Sequence, residues 1–259
     1  MAIKISETIQ DIEEIKKFEE MLCERAHNIS SYDIVVNSLE EAILAAEKLK
    51  EEGYNLFRGQ SGLWPVISNL NRLAKDEREQ VVKKAFVIQS FALKSNIINS
   101  QDELIAVLQH YGMPTHFVDF TTDTNVAAFF TTQISGNEPN DYGCIICIDT
   151  EEIKEILNIY NNSNSNENEI VDSEQELPNA ELLDISVNNL LRQEAQKGKF
   201  VFLPFVGFEI RLPYQRIVFK NSKTNHERFN ESDFYPDEKS ELEERIDAMI
   251  KLMNIFQVV

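Results

Sequence analysis

The chain has 259 residues, 42% hydrophobic and 27% charged, and a chain of this size buries roughly 70–75% of its unfolded surface without needing a metal or disulfide staple. Its net charge of −19, from 44 acids against 25 bases, argues against bulk nucleic-acid binding, which rests on neutralising phosphates with Lys and Arg. No apolar run reaches the ~18 residues of a membrane span, Met1-Ala2-Ile3-Lys4 predicts no signal peptide, and three cysteines (Cys23, Cys144, Cys147) suit a reducing cytoplasm.

Ile9, Ile12, Ile15, Phe18 and Leu22 recur at helical spacing and predict an amphipathic helix within an N-terminal extension, residues 1–37. Ser38-Leu39-Glu40-Glu41 has capping-box form and opens a second helix through Ala42, Leu44, Ala45 and Leu49, which Gly53 stops. Residues 54–60 read as a short strand that delivers Arg58 to its end; Trp64 and Pro65 follow in a loop, and a long helix is expected over about 75–98. Ser100-Gln101-Asp102-Glu103 starts another helix, ending at Gly112 with Pro114 just beyond. Residues 116–120 are strand-like, and Thr122 or Asp123 can cap a helix carrying Val126, Ala127, Phe129 and Phe130. Residues 142–149 read as a buried strand.

An Asn/Ser/Glu tract at about 158–170 cannot bury apolar surface and predicts a mobile loop. Strands are expected over 200–205, 208–212 and 216–219, and an amphipathic helix over 238–256. Strands and helices mix without a βαβ rhythm, which predicts an α+β fold of mixed or antiparallel sheets with flanking helices.

Two segments concentrate polar chemistry. Phe57-Arg58-Gly59-Gln60 ends an apolar run with a lone cation, which can hold phosphate or carboxylate through a bidentate fork or simply pair with a nearby acid. Gly59 lets the backbone approach a ligand or adopt positive φ. Residues 108–122 pack His110, Tyr111, His116, Asp119, Thr121 and Thr122 into the joint between a helix and a strand. Alternation sets His116, Val118 and Phe120 on one face and Phe117 and Asp119 on the other, which predicts Asp119 turned inward among apolar neighbours. Such a carboxylate needs an arginine or a cluster of donors, or else accepts backbone bonds that fix the following turn. The two segments are expected to face each other across a site for an anionic ligand. A third stretch, residues 191–200, places glutamine and glutamate just before a strand, within reach of a ribose hydroxyl or a base edge; an ordinary helix end capped by Gly198 accounts for it equally well.

Cys144-x-x-Cys147 is a single pair whose side chains point to opposite faces of a strand, so no metal site is expected. There is no Walker loop, dinucleotide fingerprint or nucleophile elbow.

Together the segments resemble the FRG domain family, named for its aromatic-Arg-Gly motif. Phe57-Arg58-Gly59-Gln60 supplies that motif, and Gln109-His110-Tyr111-Gly112-Met113-Pro114-Thr115, followed by Asp119, Thr121, Asn125, Ala127, Ala128 and Phe129, is similar to the central signature. Arg192, Gln196, Gly198 and Phe200 resemble a later R-x-x-x-Q-x-G-x-F element, and Phe234-Tyr235-Pro236-Asp237 a C-terminal one. The resemblance assigns residues 38–256 to one domain and departs from the family pattern at His116 and Phe120, where Arg and Trp usually stand.

More distantly, the order of these parts is similar to that of ADP-ribosyltransferase-like folds. That resemblance implies an NAD-dependent transferase modifying a macromolecule, in a toxin or phage-defence setting, with Arg58, Thr121, Glu194 and Gln196 as catalytic residues. The NAD-binding set it implies is Phe57, Arg58, Gly59, Gln60, His110, Tyr111, His116, Asp119, Thr121 and Thr122. Arg58 is assigned to the diphosphate, Thr121 or Thr122 with Tyr111 or His110 to the nicotinamide, and Glu194 or Gln196 to the ribose. The rival reading is a non-catalytic module that binds a nucleotide, nucleic acid or protein in the same cleft; a hydrolase using His110 or His116 with Asp119 is a third. The acceptor, the oligomeric state and any companion or inhibitory protein stay open.

Overall fold

The computed structural model describes residues 28–94, 101–110, 112–133, 140–155, 181–183, 190–202, 214–222 and 224–255. The predicted N-terminal helix, the low-complexity tract and the strand expected at 208–212 lie outside these residues. Seven strands, β1 (Ile34–Val36), β2 (Leu56–Gln60), β3 (Phe117–Thr121), β4 (Tyr142–Ile148), β5 (Glu181–Leu183), β6 (Gly198–Phe202) and β7 (Gln215–Lys220), form a single sheet in the order β1-β7-β4-β2-β3-β6-β5. β1 and β7 run parallel, and the other neighbouring pairs are antiparallel. The class is α+β, and the described strands form one mixed sheet. Around it lie α1 (Leu39–Glu51), α2 (Lys75–Lys94), α3 (Gln101–His110), α4 (Thr124–Thr131), α5 (Leu191–Ala195) and α6 (Glu241–Ile255).

Local chemistry sets the helix ends. Ser38 caps α1 by accepting from the Glu41 backbone N–H at 3.3 Å, while the Glu41 carboxylate reaches back to the Asn37 N–H at 2.9 Å, closing the box one residue further out than usual. Of the two candidates for the cap of α4, Asp123 takes the role, accepting from the Asn125 N–H at 2.8 Å. After α3, Gly112 adopts φ +82°, and the Met113 N–H returns to the Leu108 carbonyl at 2.9 Å, so the chain turns sharply toward β3. At the end of α5 the left-handed residue is Lys197 (φ 46°), and Gly198, the helix cap in one of the two readings of this stretch, begins β6 instead.

Helices α1 and α4 cover one face of β2, β4 and β7, burying Ala42, Ala46, Phe57, Ala127, Ile145 and Phe219. Each large apolar side chain buried in this way contributes roughly 1.5–3 kcal/mol. Close approach of α4 explains Gly59. A Cβ there would fall on the Ala127 carbonyl and lie 3.0 Å from the Thr131 nitrogen, so the glycine is required by strand–helix packing, and its φ is not in the positive region. The opposite face packs Leu56, Val118, Phe120, Ile146, Ile148 and Val218. A third cluster joins Phe117 and Phe200 to Leu104 and Val107 of α3, Ile88 of α2 and Ile246 of α6.

The sheet has a seam. β2 pairs with β4 along its whole length, and β3 with β6 likewise, yet β2 and β3 share the single register pair Phe57↔Thr121. Beyond that pair the two strands part, and their facing backbone groups need other partners.

Candidate functional site: an arginine-lined cavity at the β2–β3 seam

Where β2 and β3 part, a cavity of about 340 Å³ opens, within the range usual for small-molecule sites. Its walls come from Phe57–Ser61 of β2 and the following turn, Asp119–Thr121 of β3, α5 and β6. The two sequence segments expected to face each other therefore meet, across 61 positions of chain, at a direct bond: Arg58 Nη1 donates to the Asp119 backbone carbonyl at 2.8 Å. The guanidinium thus replaces a missing rung of the ladder.

Three guanidinium groups line the cavity: Arg58, Arg72 and Arg192. Burial lowers the Arg58 pKa; the Asp119 carboxylate offsets part of this, and the nearby Arg72 adds to the lowering by repulsion. Arg58 Nε is buried without a hydrogen-bond partner, and so is Gln60 Nε2 on a side chain only 4% exposed. A cavity wall with crowded cations and two unmatched donors suits a ligand rich in acceptors and negative charge.

Asp119 departs from its expected place. Val118 and Phe120 enter the core, while Asp119 is exposed to the cavity rather than packed among apolar groups. The surrounding protein still raises its pKa by desolvation, against the lowering pull of Arg58, of a hydrogen bond from Gln109 and of Arg192. Gln109 Nε2 donates to Asp119 Oδ1, and Gln109 Oε1 in turn accepts from the Thr115 hydroxyl.

Thr121 and Gln196 also line the cavity, but both are tied into structure. The Thr121 hydroxyl donates to the Gln196 carbonyl at 2.8 Å and accepts from the Asp123 N–H at 3.1 Å. Gln196 Nε2 donates to the Phe234 carbonyl at 3.0 Å. Arg192 lies 4.3 Å over the Tyr235 ring, a cation–π contact that fixes its direction. Phe234 stacks on Phe129 of α4 with centroids 4.1 Å apart. The R-x-x-x-Q and Phe-Tyr-Pro-Asp elements therefore form one lock that holds α5 beside the cavity.

Of the other residues proposed from sequence, Phe57, Gly59 and Gln60 line the cavity, whereas His116, Thr122 and Glu194 do not. His116 sits edge-on to Phe202 with its Nδ1 buried and unpartnered, and burial lowers its pKa, with Arg78 adding to the effect. Glu194 is exposed on α5. Tyr111 and the His110 side chain lie outside the described residues. Sequence reasoning did not assign Arg72, Arg192, Trp64, Gln109 or Gln193 to the site. Arg192 and Gln109 stood in quoted motifs and were within reach; Arg72 and Trp64 sit in an aperiodic loop that offers no local signal.

Cys144 and Cys147 are buried in separate clusters on opposite faces of β4, and burial pushes the Cys144 thiol up to about 12. Among the described residues no group of three or more His, Cys, Asp or Glu is arranged to hold a metal, and no helix is long and apolar enough to cross a membrane.

No curated protein and no solved structure matches the chain. The family model of the FRG domain matches residues 54–140, the stretch that supplies Arg58, Arg72, Gln109, Asp119 and Thr121 to the cavity. The chain contains an FRG domain.

Proposed function

We propose that the cavity is a nucleotide-diphosphate site and that the protein is an NAD-dependent, ADP-ribosyltransferase-like enzyme that modifies a macromolecule, as a toxin or phage-defence effector. One observation carries the ligand class: Arg58, Arg72 and Arg192 converge on a single cavity in a chain of net charge −19. So local a reversal of charge favours an anion of high charge density. Guanidinium forks match phosphate oxygens two at a time, and the unpartnered Arg58 Nε is a ready donor. Trp64 and Phe130 supply aromatic surface for a flat ring, and Gln60 Nε2 a donor for its acceptor atoms. The transferase part, with its toxin or defence setting, rests on the family resemblance.

When bound, NAD supplies a glycosidic bond whose cleavage passes through an oxocarbenium-like transition state. The chain's part is to hold the diphosphate on the arginines and keep the sugar in one orientation. A second reading has its own support. At the place assigned to a ribose-facing acid, Gln196 lines the cavity and Glu194 does not, and glutamine takes no proton. That favours a non-catalytic nucleotide-binding module in the same cleft.

Incubation of the full chain with NAD labelled in the ADP-ribose moiety separates the two. Nicotinamide release and transfer of label, reduced roughly 10²–10³-fold by Arg58→Ala at unchanged fold, is the result expected of the enzyme. Thermal stabilisation by NAD without turnover supports the binding module. Arg58→Ala binding and turning over NAD like the parent protein overturns the site assignment.

A further inference from the structure

Among the described lining residues of this cavity Asp119 is the one carboxylate, set beside three guanidinium groups. A carboxylate facing phosphates is repelled, and one facing arginines ordinarily pairs with them. Asp119 does neither. Arg58 bonds its backbone carbonyl, at 2.8 Å, and acts on the carboxylate through charge alone, with no hydrogen bond to it.

The carboxylate is instead aimed by a relay. The Phe117 N–H donates to Thr115 Oγ1 at 3.1 Å, the Thr115 hydroxyl donates to Gln109 Oε1, and Gln109 Nε2 donates to Asp119 Oδ1. The ionised Asp119 carboxylate only accepts, so it takes the Gln109 NH₂ and leaves Gln109 Oε1 to accept from the Thr115 hydroxyl, whose oxygen accepts from the Phe117 N–H. One carboxylate oxygen is thereby fixed as an acceptor, and the group is exposed to the cavity. A ligand whose phosphates sit on the arginines must bring hydrogen-bond donors to this point. The donors that nucleotide diphosphates carry next to their phosphates are sugar hydroxyls.

We propose that Asp119 is the sugar-reading residue of the cavity: its carboxylate accepts hydrogen bonds from the ribose hydroxyls of a ligand whose diphosphate lies on Arg58, Arg72 and Arg192, and Gln109 and Thr115 position it. The proposal rests on the nucleotide reading above and deepens it. It gives Asp119 the sugar contact that the family resemblance assigned to Glu194 or Gln196. It also explains the central motif physically, since Gln109 and Thr115 exist to aim a residue ten and four positions further on.

Calorimetric titration of the full chain with two probes, ADP-ribose and inorganic pyrophosphate, tests it. Asp119→Asn keeps the shape and removes the charge. It is expected to weaken ADP-ribose roughly 10- to 100-fold, the worth of hydrogen bonds to a charged acceptor, and to leave pyrophosphate unchanged or bound more tightly. Gln109→Leu removes the N–H bond that favours the ionised carboxylate, so the pH below which ADP-ribose affinity falls moves upward; a residue with a merely structural role leaves that midpoint in place. The arginines keep their charge throughout this range. Equal loss of both probes in Asp119→Asn, or no loss of either, overturns the sugar role. If Arg58→Ala still weakens both probes in that case, the anion site stands without it. Failure of both probes to bind the parent protein overturns the nucleotide reading and the sugar role together.

Discussion

Two arginine–aspartate pairs in this molecule share their chemistry and differ in almost everything else. Arg216 on β7 and Asp33 are sealed from solvent, with side chains 1% and 0% exposed. Arg216 donates from Nε and Nη2 to the two Asp33 oxygens at 3.2 and 2.7 Å, and Nη2 also reaches the Asn28 carbonyl at 2.5 Å. Burial works against the charge on Arg216, but the hydrogen bonds and charge of Asp33 outweigh it and raise its pKa. Arg58 and Asp119 are close enough to influence each other yet make no such fork, and burial dominates both, lowering the arginine and raising the aspartate. The first pair is closed by a two-bond fork, although Arg216 Nη1 is buried without a partner, and it pins the segment before β1 to β7. The second stops short of such a fork, which is the arrangement the proposed anion site calls for.

The contrast can be broken by substitution. Asp33→Ala strands a guanidinium in the interior and should cost about 3–5 kcal/mol in urea unfolding; a loss below 1 kcal/mol, roughly that of an exposed pair, means the pair is not what anchors the segment. Gly59→Ala, next to Arg58, drives a methyl group into the Ala127 carbonyl. It should cost about 1–3 kcal/mol or more by the same measurement, separating the glycine's packing duty from the arginine's. Arg58→Met is expected to stay within about 1 kcal/mol of the parent, because a desolvated charge without an ion pair is lost along with one hydrogen bond. The stabilisation by pyrophosphate should vanish with it; a melting shift that persists assigns the anion elsewhere.

The smallest effect has the opposite sign. Because the folded-state pKa of Asp119 lies above its unfolded value, ionisation burdens the fold at neutral pH, and that burden disappears as pH falls through the folded pKa. Asp119→Asn should therefore melt slightly above the parent protein at neutral pH, with the gap closing on acidification. A gap that widens on acidification contradicts the raised pKa.

Much of the frame is legible in the residues themselves. Ser38 and Asp123 announce their helices through side-chain oxygens, Gly112 and Pro114 mark the exit from α3, and the apolar run around Ile145 and Ile146 reads as a buried strand. β1 and β5, three residues each, carry no pattern long enough to detect; β1 exists because β7 offers it a parallel edge. At the site, alternation separates Asp119 from Val118 and Phe120 but does not say which face meets a cavity, so Asp119 was expected in an apolar interior. Gly59 shows the same gap, since no local pattern records that Ala127 would come so near. Arg72 and Trp64 reach the cavity from an irregular loop, where only the folded chain shows the direction of a side chain.

The lone Phe57–Thr121 rung has a mechanical consequence. The two well-laddered halves of the sheet, β1-β7-β4-β2 and β3-β6-β5, meet along a line of low stiffness that coincides with the cavity floor. Fluctuations that open a protein locally start where backbone ladders are thinnest, so amide protons flanking this line are expected to exchange ahead of those in β4. A guest that bridges Arg58 and Asp119 splices the halves together, and its arrival registers as slowed exchange on both banks of the cleft.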